Sequence, residues 1–393
     1  MNVGAGGGGV GGGVASGGAS GAGGATGSGG HDGGQSPDGS TLVDAPGMTD
    51  LETRRCTPQF PYQDDPNLGT WLGGDSSYSV SLSSTAAVWT FQDTFVGPQH
   101  QTGRLNVPLV GNSMAIAECH GGAFSLHYFW TRSGPKAFFD DGNTLGSRFW
   151  TLQPWTYQGT LFAGLTEVRN AAGGFVELST KLARVANPLD PPASWRVEYL
   201  GLASIPGVGK GAIVRDAYVY LYAPFENDQI VARLPLDELV KPAADPTALL
   251  QYLSKAGDWK AGLTTTDAKK MGIAANTGIS LRYVPGLSQW LALFMNTSSW
   301  PSPNIAISSA PNLEGPWTRP ANVYSVEEMN PSAPGYDVDT ICYAALEHAE
   351  WNPNPDSQLL FTYTCNSTVF AKQVANMNIY LPRVVTIKNP LFK

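Results

Sequence analysis

The chain has 393 residues, 24 Lys and Arg against 32 Asp and Glu for a net charge of −8, and is only 14% charged but 10% aromatic. That balance lacks the basic surplus that phosphate neutralisation requires, which argues against a nucleic-acid partner, and no run of about 18 apolar residues is present to cross a bilayer. Few charges with many aromatic and amide side chains suit a β-rich protein that handles neutral, hydroxyl-rich ligands.

Glycine divides the chain, with 19 of its 46 glycines in residues 1–40. Residues 1–47 read as a disordered Gly/Ala/Ser-rich linker, because a segment almost without bulky apolar residues cannot offset its conformational entropy. The opening Met1-Asn2-Val3-Gly4 lacks the positive and apolar regions of a secretory signal. The tract from Gly6 to Gly30 is nevertheless of the kind that tethers lipoprotein domains, so membrane anchoring through a missing N-terminal segment is kept open beside a cytosolic reading. Residues 48–393 are expected to form the folded body, as a monomer.

From there short aromatic strands recur, bounded by Gly, Pro, Asn and Asp. They include Val88-Trp89-Thr90-Phe91, Leu161-Phe162-Ala163-Gly164, Val219-Tyr220-Leu221-Tyr222, Leu291-Ala292-Leu293-Phe294 and Leu360-Phe361-Thr362-Tyr363, at a mean spacing of 68 residues. A unit of that size supplies about four strands, one propeller blade. The expected fold is therefore all-β, a five-bladed β-propeller with blades near 71–135, 147–190, 195–260, 275–325 and 337–388. A pair of β-sandwiches is the rival. The helix-like stretches are short, at 235–240 and 244–255.

In a propeller the first strand of each blade lines the central channel, so polar residues at the starts of those strands converge. In the first unit, a hairpin centred near Ser84 pairs residues whose numbers sum to about 168, which sets Asp75 opposite Asp93. Two carboxylates at one hairpin end are what glycoside hydrolysis needs, one protonated and one ionised, and their repulsion helps raise one pKa. The competing reading is the ordinary use of such residues in turns.

Farther along, Asn112, Ser113, Glu118, Asn276, His348 and Asn366 are candidate substrate-binding residues, since amides and imidazoles donate and accept without fixed charge. Glu118 and Glu167 are reserve acids. Trp300, in Ser299-Trp300-Pro301, is the candidate exposed ring for stacking on a sugar, whereas Trp71, Trp89 and Trp317 are assigned to the core. The glycines of Gly207-Val208-Gly209-Lys210-Gly211 lack the strand-then-helix context of a phosphate loop and read as a hairpin turn. No G-x-S-x-G, P-loop or H-E-x-x-H sequence is present.

The four cysteines, Cys56, Cys119, Cys342 and Cys365, have no metal or redox spacing, so neither a metal nor a cofactor is expected. They allow three pairings. Cys342 with Cys365, in neighbouring strand-like segments, is the easiest to form. An even count without a metal pattern leans toward an oxidising, extracytoplasmic compartment.

The segment from Trp71-Leu72-Gly73-Gly74-Asp75 to Trp89-Thr90-Phe91-Gln92-Asp93-Thr94-Phe95, followed by Asn112-Ser113, resembles the opening of domain-of-unknown-function family 4185, which overlaps glycoside hydrolase family 183. The family pattern is W-x-G-G-D-G, then W-x-F-G-D-T-F, then N-S. Here Ser76 and Gln92 each replace a glycine. Weaker similarity lies in Asn304 to Pro311 with Gly315-Pro316-Trp317, and in Glu347-His348 with Leu360 to Asn366, where Ala349 replaces a proline. The resemblance implies a five-bladed propeller, endo-D-arabinanase-like action, and Asp75 and Asp93 as the catalytic carboxylates, with Asp75 taken as the base and Asp93 as the acid. The expected function is thus a secreted or surface-anchored glycoside hydrolase whose partner is a furanoside polysaccharide or oligosaccharide. The alternative is a non-catalytic carbohydrate-binding propeller.

Overall fold

The computed structural model describes residues 56–130, 136–142, 146–172 and 174–392; the linker expected over 1–47 lies outside them. The described residues form a five-bladed β-propeller. Blade one contains β3 (Tyr78–Ser81), β4 (Ala86–Phe91), β7 (Ser113–His120) and β8 (Ala123–Phe129). A further sheet, absent from the expected layout, is built from β1 (Gln63–Asp65), β2 (Gly69–Gly74), β5 (Thr94–Gly97) and β6 (Leu109–Val110).

Blade two is β9 (Ser147–Tyr157), β10 (Thr160–Ala171), β11 (Gly174–Val185) and β12 (Val197–Ala203). The strand at 197–203 belongs here and not to blade three, which moves the expected boundary near 195. Blade three is β13 (Gly211–Arg215), β14 (Tyr218–Phe225), β15 (Asp228–Pro235), β16 (Gln251–Leu253) and β17 (Trp259–Ala261). The helix-like stretches within it shrink to the single turns α1 (Leu236–Leu239) and α2 (Pro246–Leu249). Blade four is β18 (Ile279–Val284), β19 (Gln289–Met295), β20 (Asn304–Ala310) and β21 (Ala321–Ser325). Blade five is β22 (Thr340–Glu347), β23 (Gln358–Ser367) and β24 (Pro382–Lys388), with α3 (Phe370–Ala375) between its last two strands.

The strands β3, β9, β13, β18 and β22 line the axis, each touching the next. Middle strands are covered on both faces by adjacent blades and so read as continuous apolar runs. In β19, every residue from Trp290 to Met295 is buried. Trp71 and Trp89 are fully buried, as expected, in an aromatic cluster with Phe91, Tyr128 and Trp351.

The ring closes between blades five and one through side chains. Ser77 Oγ meets Thr362 Oγ1 at 2.9 Å, and the His348 ring bridges Ser79 and Thr362. Cys342 and Cys365 are direct cross-strand partners in β22 and β23 and form one disulfide; Cys56 and Cys119 form the other. Among the described residues no helix is long and apolar enough to cross a membrane.

Candidate active site

The first hairpin is bent, and both aspartates lie at the bend. Tyr78 pairs with Thr90 inside blade one and Gly74 with Thr94 inside the additional sheet, while Gln92 N donates to Asp75 O at 2.9 Å. Asp75 and Asp93 therefore sit across from one another where the strand pair passes from one sheet to the other. The change of direction uses left-handed backbone at Gly73 (φ 129°) and Ser76 (φ 52°), which costs glycine nothing and serine some strain. A Cβ at Gly73 would lie 2.4 Å from Tyr380 O and 2.7 Å from Arg104 Nη2, so this residue also permits a close approach of blade five.

The two carboxyl groups have unlike surroundings. Asp93 is gripped by Arg148, with Nε to Oδ1 at 2.8 Å and Nη2 to Oδ2 at 3.1 Å, and its Oδ1 accepts a further bond from Trp150 Nε1 at 2.9 Å. Such a bidentate charge-assisted pair fits an ionised carboxylate. Asp75 faces phenols instead: Tyr343 OH donates to its Oδ2 at 2.6 Å and Tyr380 OH at 3.3 Å, while Oδ1 has no partner. Burial, and secondarily the charge of Asp93, push the Asp75 carboxyl up to about 7, although both phenols oppose the shift. These environments run opposite to the roles expected from the sequence: the residue taken as base carries the raised pKa, and the residue taken as acid holds the ion pair.

The starts of the other axial strands meet the same end of the channel. Arg148 opens β9, and Lys210, just before β13, lies 3.2 Å from Asn276 O and 3.5 Å from Glu177 Oε1. Lys210 sits in an inter-blade turn leading into β13, not in the hairpin turn expected for residues 207–211. Asn276, just before β18, donates to Asn227 and leaves its own Oδ1 unpartnered. On β23, Asn366 donates to Tyr343 OH at 3.2 Å and so stands one residue behind Asp75.

The remaining sequence candidates lie elsewhere. Asn112 is fully buried, with its amide spent on Phe139 and Phe149 backbone, and Ser113 is buried between Trp71 and Thr94. Neither offers an atom to a ligand. Glu118 is exposed on β7 beside His120 and lines a separate hollow of about 380 Å³ with Gln63 and His127. His348 is buried with both ring nitrogens engaged, by Ser79 and Thr362, and burial pulls its pKa down to about 3. It braces the ring closure as a neutral imidazole. Glu167 is held by Ser147 and Ser179.

Trp300 is 45% exposed on the β19–β20 loop, at the same end of the propeller as the bend. A second exposed ring, Phe175, stands at the tip of the β10–β11 hairpin, packed edge-on against Trp150 with centroids 4.5 Å apart. Arg148, Trp150, Lys210, Tyr343, Tyr380 and Phe175 were not among the sequence candidates. Arg148 and Lys210 carried a signal, a charged residue at or just before the start of an axial strand.

Residues 66–389 match the family model of a domain of unknown function, DUF5005. The chain resembles the crystal structure of a hydrolase candidate from Bacteroides ovatus ATCC 8483, with TM-score 0.64, 14% identity and coverage of 81% of this chain and 86% of that one. More distant are an enzyme of glycoside hydrolase family 43 from Xanthomonas citri, with TM-score 0.43, 11% identity and coverage of 86% and 92%, and an exo-β-1,3-galactanase from Phanerochaete chrysosporium, with TM-score 0.44, 10% identity and coverage of 80% and 60%. No curated protein shows significant sequence similarity to this chain.

Proposed function

The chain belongs to the DUF5005 family, and from that premise, together with the carboxylate pair at the hairpin bend, we propose that it is a glycoside hydrolase acting on a neutral furanoside polysaccharide of the D-arabinan type. The observation that carries the reading is the division of labour between Asp75 and Asp93. The Asp75 carboxyl is pushed up to about 7, so it keeps its proton into the neutral range, and its Oδ1, although buried, is free of protein partners. It is the general acid, delivering its proton to the glycosidic oxygen as the bond to the anomeric carbon breaks. Asp93, paired with the Arg148 guanidinium, is the carboxylate that hydrolysis requires opposite that acid. Asn366 and Asn276 supply amides for sugar hydroxyls, and Trp300 and Phe175 supply rings for sugar faces.

The furanoside assignment rests on the resemblance of the blade-one motif to glycoside hydrolase family 183. Two disulfides suit an extracytoplasmic location. A non-catalytic carbohydrate-binding propeller is the second reading, favoured by the three hydrogen bonds that already occupy the Asp93 carboxylate.

The deciding experiment incubates the chain with D-arabinan, xylan and other neutral polysaccharides and analyses the released sugars, with Asp75→Asn in parallel. Oligosaccharides from D-arabinan that vanish in the variant support the proposal. Release from a different polymer keeps the reaction and replaces the substrate. Binding without release transfers the assignment to the second reading.

A further inference from the structure

Arg104 is a buried cation, 1% exposed, and among the described residues no carboxylate forms an ion pair with it. Its guanidinium is spent on main-chain carbonyls: Nε donates to Leu72 O at 2.8 Å, Nη1 to Gln373 O and Asn376 O at 3.2 and 3.1 Å, and Nη2 to Ile379 O at 2.8 Å. It also lies 5.4 Å from the Phe95 ring centre and 5.9 Å from that of Tyr380. A buried charge without a counter-charge is costly to keep, so its placement calls for a specific cause.

Three of those carbonyls belong to the segment that delivers Tyr380, whose backbone is left-handed (φ 64°). An aromatic residue holds that conformation only where its surroundings over-determine it. The fourth carbonyl, Leu72 O, is three residues before Asp75. Arg104 thus pins the segment that carries Tyr380 to β2, the strand of the additional sheet that leads into Asp75. Gly73 leaves the room for that contact.

We propose that Arg104 is a positioning residue: by clasping the carbonyls of Gln373, Asn376 and Ile379 it fixes Tyr380 in its strained conformation, from which the phenol reaches Asp75. Asp75 is also faced by Asp93, Arg148, Tyr343 and Tyr78, and none of these four touches Arg104. The inference depends on the proposed function only for its catalytic consequence, since the bond to Asp75 can be measured without substrate.

The test is the titration of the Asp75 carboxyl in the full chain, isolated by infrared difference against Asp75→Asn. A phenol that donates to the carboxylate favours the ionised form, so Tyr380→Phe raises the midpoint by about one pH unit, a roughly tenfold tighter proton. Arg104→Lys keeps the charge but loses the fork, and is expected to raise the midpoint by a similar amount. The double variant is expected to show no further rise. A merely structural arginine would lower the melting temperature and leave the titration in place; that result, or additive shifts in the double variant, overturns the proposal. Should Arg104→Lys fail to fold, Arg104→Gln, which keeps an amide donor for part of the clasp, takes its place: a raised midpoint supports positioning, and an unchanged one overturns it. If the shifts occur in a protein that cleaves no polysaccharide, the glycosidase reading falls and the positioning role stands.

Discussion

Ser76 Oγ donates to Gln92 Oε1 at 3.1 Å across the bend that carries both aspartates. These are the two positions at which the chain departs from the glycines of the resembling motif, and the structure makes them partners. Gln92 Nε2 also donates to Thr151 O of β9 at 2.8 Å, so the bend is fastened to blade two. Two substitutions that weaken the motif when read singly therefore replace flexible turn residues by a cross-strand bridge beside the carboxyl groups.

A double-mutant cycle measures this bridge. Gln92→Gly is expected to cost about 1–2 kcal/mol, since it removes two hydrogen bonds and adds backbone freedom. Ser76→Gly should be close to neutral, because the lost bond is offset by relief of the left-handed serine. Urea unfolding of the two single variants and the double should give a coupling of about 0.5–1 kcal/mol.

For Asp75→Asn we expect turnover to fall by roughly 10²–10⁴-fold, the usual contribution of a general acid, and the protein to become more stable in mild alkali. The sign follows from the direction of the shift. The folded-state pKa of Asp75 is about 7 against a model value of 3.8, so the native state binds the proton more tightly and wild-type stability falls as pH rises from about 4 through 7. The variant lacks that penalty. Melting curves should separate by on the order of 2–4 kcal/mol at pH 8 and converge below pH 4.

The same group sets the pH profile of activity. An acid must be protonated to act, so kcat/KM should decline as pH rises through about 7. Arg148→Gln removes a positive charge that faces Asp93 and Asp75, which moves the Asp75 titration upward and carries the alkaline limb with it. It also leaves Asp93 unpaired, at a cost of roughly 2 kcal/mol in stability. An alkaline limb that moves down would contradict the assignment of Asp75 as acid.

Phe175 and Trp300 stand at the rim, and their truncation should be felt in binding more than in chemistry. Phe175→Ala and Trp300→Ala are each expected to raise KM about three- to tenfold with kcat little changed, the loss of one ring contact of about 0.5–1.5 kcal/mol. Thermal melting should be unaffected at Trp300. Steady-state kinetics on the substrate identified by sugar release separates the two parameters.

Removal of either disulfide should be tolerated by the fold and visible in its stability. The Cys342–Cys365 crosslink spans 23 residues and Cys56–Cys119 spans 63. Loop-closure entropy predicts losses of about 3 and about 4 kcal/mol for the paired Cys→Ala variants. Denaturant unfolding with and without reductant checks the order.

The sequence by itself determined the repeat, and with it the propeller, because strand period and turn composition are local properties that recur every blade. It also determined that Asp75 and Asp93 face each other, since a hairpin register follows from the residues of a single turn. It did not reveal that the hairpin is bent into two sheets, nor that Asn112, Ser113 and His348 are buried supports: an amide that binds backbone and one that binds sugar are the same residue in a sequence. Only the tertiary structure decided which aspartate is buried among phenols and which is ion-paired. That difference is made by Arg148 from blade two, which grips Asp93, and by Tyr343 and Tyr380 from blade five, which close over Asp75, residues 55, 268 and 305 positions away from the carboxyl groups they touch. Electrostatic environment is set by distance in space, and a ring of blades brings together at its axis groups whose separation along the chain holds no record of that meeting.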